Sequence, residues 1–141
     1  MRPLFYLLIS LVILSAIACA MPARVTVSPL PTWDPSTAES FTDATVGDGT
    51  LEFSANCVTL ALDNQKTILL IWPEPTTWDS TKKTVELVDV LGNRLELHEG
   101  DRIMPSGSTP AGEPKYVTPP RASCIADEQF IVNAISVIPN Q

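Results

Sequence analysis

Only one histidine, His98, stands in the 141-residue chain, and Glu99 follows it directly. A general base needs positioned partners, and a lone His at a strand end reads as a surface residue. A single His also excludes a His-rich metal site. Ser80 and Lys83 have the Ser-x-x-Lys spacing that can activate a serine, but they fall in a polar loop rather than at a helix start. No Gly-x-Ser-x-Gly elbow, Gly-rich phosphate loop or calcium-loop spacing of acids occurs. The carboxylate pairs Glu96/Glu99 and Asp127/Glu128 have the chemistry a glycosidase uses. In an acidic protein their simpler role is solvated surface. The residues therefore predict no reaction, no cofactor and no metal. Two aromatics remain as candidates for ligand recognition, Trp78 in a Pro/Thr/Lys-rich loop and Tyr116 in a long Pro-rich one. Aromatics exposed on loops mark binding surfaces; the competing role is to fold back as lids over the domain.

Charge narrows the partners. Lys and Arg number 9 against 16 Asp and Glu, for a net charge of −7. Nucleic acid requires a basic face, so it is not an expected partner. A polybasic membrane-surface module is excluded for the same reason. The length allows one domain once targeting segments are removed.

Those segments come first. Met1-Arg2-Pro3 gives a positive start, and Leu4 to Ala18 is an uncharged apolar run of about 15 residues. As a helix it would rise about 22 Å, short of the roughly 30 Å hydrocarbon core. It reads as the hydrophobic region of a signal peptide, residues 1–18. Ser15-Ala16-Ile17-Ala18-Cys19 then places a Cys directly after a small residue. This resembles the lipobox of bacterial lipoprotein precursors. The resemblance implies cleavage before Cys19 and a thioether-linked diacylglycerol on it, anchoring the chain to a membrane of the bacterial cell envelope on its extracytoplasmic side. The alternative is ordinary secretion: Ala16-Ile17-Ala18 permits a cut at the same bond, and Ala18-Cys19-Ala20 one before Met21.

With Cys19 assigned to lipid, Cys57 and Cys124 remain. An exported chain meets an oxidising compartment, so a disulfide between them is expected. A redox or metal pair is a poor rival for two Cys so far apart with one His in the chain.

Residues 19–47 are rich in Pro, Ser and Thr and lack a sustained apolar period. They read as a lipid-anchored tether, able to span up to roughly 85 Å if polyproline-like. Trp33 is its one bulky oddity, either docked on the domain or exposed.

From residue 48 to 141 short β-type runs alternate with turn residues. They are Leu51–Phe53, Cys57–Leu62, Thr67–Trp72, Thr84–Val90, Arg94–His98, Arg102–Met104 and Gln129–Ile138. Gly92-Asn93 signals a two-residue hairpin turn, and Pro105 to Ser123 a long loop. Segments Thr37–Asp43 and Ser123–Gln129 are weak helical candidates. Six or seven strands in so few residues predict an all-β domain, a small closed or partly open antiparallel barrel of OB-like type with one disulfide. An immunoglobulin sandwich is the alternative, since Trp72 lies between Cys57 and Cys124.

A second resemblance points the same way. Asn56-Cys57-Val58-Thr59-Leu60, Leu69-Leu70-Ile71-Trp72-Pro73, Gly100-Asp101-Arg102-Ile103 and Cys124 resemble, in order, a pattern in small exported bacterial proteins of no assigned activity. It implies an OB-like barrel and the disulfide, and no reaction. Together these readings predict a lipid-anchored binding or interaction module for a glycan or envelope protein. An accessory subunit of an envelope complex is the alternative, and a small carboxylate-dependent hydrolase the remotest one.

Overall fold

The computed structural model describes residues 28–37, 44–55, 57–110 and 114–139. The expected signal peptide, Cys19, and residues 20–27 and 38–43 of the expected tether lie outside the described residues. The strands in chain order are β1 (Thr32–Trp33), β2 (Ala44–Thr45), β3 (Gly49–Phe53), β4 (Val58–Leu62), β5 (Thr67–Pro73), β6 (Thr77–Asp79), β7 (Thr84–Val88), β8 (Arg94–His98), β9 (Arg102–Ser108), β10 (Tyr116–Thr118) and β11 (Glu128–Val137). One 3₁₀ turn, Pro35–Thr37, is the helical content among the described residues.

Five strands close on themselves in the order β3-β4-β5-β11-β9 and back to β3. Every pairing is antiparallel except β5 with β11, which is parallel. In chain order the ring reads first, second, third, fifth, fourth, which is the connectivity of an OB-type barrel. Closure leaves none of the five with a free hydrogen-bonding edge along its whole length. The sandwich alternative is thereby discarded.

Alternation explains the core. On β4 and β5, Val58, Leu60, Ile68, Leu70 and Trp72 turn into the barrel, where Leu51, Ile103, Phe130 and Val132 meet them. β5 is apolar on both faces because both are covered: Leu69 and Ile71, on the outer side, are also buried. In place of a capping helix the chain inserts a three-stranded meander, β6-β7-β8. Its Val85, Leu87 and Leu97 belong to the same core.

Several local expectations change. The folded unit does not wait for residue 48. Thr32 and Trp33 pair in parallel with Trp72 and Pro73 of β5, and antiparallel with β10. Leu30 is buried in the core, and the Trp33 indole N–H donates to the Val132 carbonyl at 3.2 Å. Proline-rich composition lowers helix propensity, but it does not prevent two residues from adding to a sheet edge. The Ser123–Gln129 candidate is no helix: residues 122–123 form a turn, and β11 begins at Glu128. β9 runs on through Pro105 to Ser108. Pro105 faces Ile135, but on its other side it falls between the pairings to β3 and β2. The hairpin at Gly92-Asn93 is wider than two residues. Its loop spans 89–93 and is organised by the Asp89 carboxylate, which accepts the N–H groups of Leu91 and Asn93 at 2.9 and 2.8 Å.

Strict alternation also fails on β11. The register against β9 shifts between Val132 and Ala134. Phe130 and Val132 are buried before the shift, Asn133 and Ile135 after it. A bulge of this kind turns the strand and re-aims its side chains. The exposed carbonyl of Asn133 accepts the Val90 N–H at 3.0 Å, which docks the meander loop onto the bulge.

The expected disulfide is present. Cys57 and Cys124 are bonded, with Cα atoms 5.4 Å apart across 67 positions of sequence. It ties the β3–β4 connection to the long β9–β11 connection.

Candidate functional site

Phe53 ends β3, and Trp78 is the middle residue of β6. Their ring centroids are 5.1 Å apart and their planes meet at 78°, an edge-to-face contact between barrel and meander. Both rings are half-buried and rest on the core. Their remaining surface lines a hollow of about 360 Å³ shared with Ser54, Ala55, Ser80, Lys83 and Glu99.

Three turns hold this wall of polar groups. The β3–β4 connection is drawn tight by Ser54, whose N–H donates to the Cys57 carbonyl at 2.8 Å while its hydroxyl accepts the Cys57 N–H at 3.0 Å. The β6–β7 turn is organised by Asp79, whose carboxylate accepts the N–H groups of Thr81 and Lys82 at 2.8 and 3.0 Å. Those bonds to Lys82 and Thr81 hold the Asp79 carboxyl below its ordinary value. Lys83 closes the turn with φ of 56°, in the left-handed region that a residue with a Cβ seldom enters. The β8–β9 turn carries Glu99. Its Gly100 has φ of 88° and donates its N–H to the Leu51 carbonyl at 2.8 Å. The Leu51 N–H in turn donates to the Asp101 carbonyl at 2.9 Å, so Glu99 is hung from β3 close to Phe53.

The geometry suits adhesion rather than reaction. An apolar platform lies among two hydroxyls, an ammonium and a carboxylate, a combination that grips a flat polyhydroxylated or amphipathic ligand. The carboxylate pairs named from sequence do not converge on it. Glu99 lines this hollow, whereas Glu96 lines a separate open groove of about 500 Å³ with Glu86 and Arg94 on the meander. Glu96 is also 3.5 Å from Lys82 and 3.3 Å from His98. Asp127 accepts the Thr67 N–H at 2.7 Å, and Glu128 pairs with Lys66 at 2.6 Å. The larger groove lacks an aromatic platform, and its Glu86 and Glu96 both lie within 3.9 Å of Lys82.

Of the two aromatics singled out from sequence, Trp78 lines the hollow and Tyr116 does not. Tyr116 pairs with Trp33, and its hydroxyl donates to Gln129 at 2.8 Å. Phe53, Lys83 and Glu99 were missed as ligand contacts. Phe53 reads from sequence as one more alternating strand residue, and only the meander's docking brings Trp78 against it. Compared with known proteins, the chain matches no family model, no curated protein and no solved structure.

Proposed function

We propose that the chain is a lipid-anchored extracytoplasmic binding module that holds a glycan of the bacterial cell envelope in the Phe53–Trp78 hollow. The observation that carries the reading is the aromatic pair itself, half-exposed at the seam of barrel and meander with hydroxyls and both signs of charge around it. Aromatic faces stack on the C–H face of a sugar ring, and the rim groups bond its hydroxyls. OB-type barrels use the connection between their first two strands, here residues 54–57, to grip oligosaccharides. The anchor rests on Cys19 and the apolar run before it. A diacylglycerol holds a protein firmly where one chain would hold it marginally. No reaction is assigned to the module.

Two measurements test this. The purified full chain in mild detergent is titrated calorimetrically with peptidoglycan fragments and with N-acetylglucosamine oligomers. Binding is expected for the parent and is lost in Trp78→Ala and Phe53→Ala. A parent that binds neither overturns the glycan reading. Separately, Cys19→Ser is expected to move the protein from the membrane to the soluble fraction; unchanged fractionation overturns the anchor.

A further inference from the structure

We infer that the turn Arg121–Cys124 and the side chain of Ile125 form the face on which the domain rests against the lipid surface. The inference builds on the proposed acylation of Cys19, and its geometry begins at Ser28. There the described chain joins the barrel: the Ser28 carbonyl accepts an N–H from the Arg121 guanidinium at 3.2 Å. The same guanidinium reaches the Ala55 carbonyl at 3.4 Å. The Cys124 N–H donates to the Arg121 carbonyl at 2.9 Å, and Cys124 is bonded to Cys57. Ser28, Arg121 and the disulfide thus form one fixed patch, and Ile125 is the next residue along it. Ile125 is 87% exposed, the most exposed large hydrophobic side chain among the described residues.

Length supplies the occupant. With Cys19 acylated, residues 20–27 are all that separates the lipid from Ser28, and that link reaches at most about 32 Å when fully extended. A domain of about 100 residues has a radius of gyration near 13 Å. The leash is therefore about one domain diameter, well short of the reach expected had the tether run to residue 47. The patch at Ser28 cannot move far from the bilayer, and it presents an isolated aliphatic side chain there. Arg24 in the link and Arg121 in the patch supply positive charge toward anionic headgroups. Of the neighbouring acids, Asp127 accepts the Thr67 N–H and Glu128 is paired with Lys66.

The test inserts a reporter. Full-length acylated Ile125→Trp is reconstituted into vesicles of phosphatidylethanolamine and phosphatidylglycerol with brominated or ordinary acyl chains. Leu91→Trp serves as the comparison. Leu91 is 80% exposed on the loop whose Val90 bonds Asn133, while Ile125 precedes Asp127. The six strand residues between these two points of β11 span about 20 Å. Loss of the Ile125→Trp emission in brominated vesicles, with Leu91→Trp unaffected, is the expected result. Equal emission in both vesicle types for Ile125→Trp, or equal loss at both positions, overturns the inference. Mass spectrometry on the same samples separates the two levels. An acylated chain that shows no quenching sinks the docking face and leaves the anchor standing, whereas a chain without acyl groups sinks both.

Discussion

Gly107 of β9 passes so close to Ile131 of β11 that a Cβ built on the glycine would stand 1.9 Å from the Ile131 carbonyl oxygen. The obstacle is backbone, at the bulge that turns β11, and no rotamer change can relieve it. Gly107→Ala is expected to destabilise the domain by about 3 kcal/mol or more, near the upper end for overpacking. Urea unfolding of parent and variant measures it. A midpoint unchanged by the substitution would mean the two strands can separate freely here.

The disulfide closes a long loop. Replacing both Cys57 and Cys124 by Ala should remove about 4 kcal/mol in the chain-entropy model for a separation of 67 residues. For a domain with a core this small, that is a large part of its stability. Chemical denaturation of the oxidised parent and the double variant checks the figure, and dithiothreitol is expected to reproduce the effect in the parent alone.

Acid should loosen the fold in a definite window. The hydrogen bond from Arg102 holds the Asp48 carboxyl below its ordinary 3.8, and the N–H groups of Lys82 and Thr81 do the same for Asp79. A carboxyl depressed in the folded state stabilises it fully above the unfolded value, and the contribution fades as pH falls through the folded value. Stability should therefore decline below about pH 3.8. Asp79→Ala is expected to flatten that decline and to lower stability at neutral pH, as read from urea midpoints between pH 5 and 2. An identical pH slope in the variant would remove Asp79 from the account.

Lys83 pays a backbone cost that glycine would not. Its φ of 56° disfavours any residue with a Cβ, and such conformations cluster where function holds them in place. Lys83→Gly should stabilise the domain by up to about 1 kcal/mol while weakening glycan binding in the calorimetric titration. A variant that is more stable and binds as well as the parent would show that the ammonium takes no part in the site.

Much of the barrel was legible from alternation. β4, β5 and β8 fall on the runs read from sequence, because a strand with one face against a core must repeat its apolar residues at period 2. β5 was apolar on both faces and proved covered on both. Reading failed where one residue breaks the period. The bulge after Val132 swaps which side of β11 is buried, and nothing in Asn133 announces it. Pro105 looked like the end of a strand because its missing N–H argues against a ladder, yet it lies where β9 is passing from one outer neighbour to the next.

The candidate site was half legible. Trp78 stood out as an aromatic among polar neighbours, but its partners Phe53, Lys83 and Glu99 lie 25, 5 and 21 positions away in the chain. They meet because the meander folds back onto the barrel and the β8–β9 turn hangs from Leu51. The chain order alone settled the class of fold and the pair of cysteines that would bond, since periodicity and residue count are local properties. Which side of the barrel is open, where the N-terminal segment joins the sheet at Thr32, and which aromatic faces its neighbours were decided only in three dimensions. Those depend on contacts between distant segments, and each such contact is selected by packing rather than by the residues on either side of it.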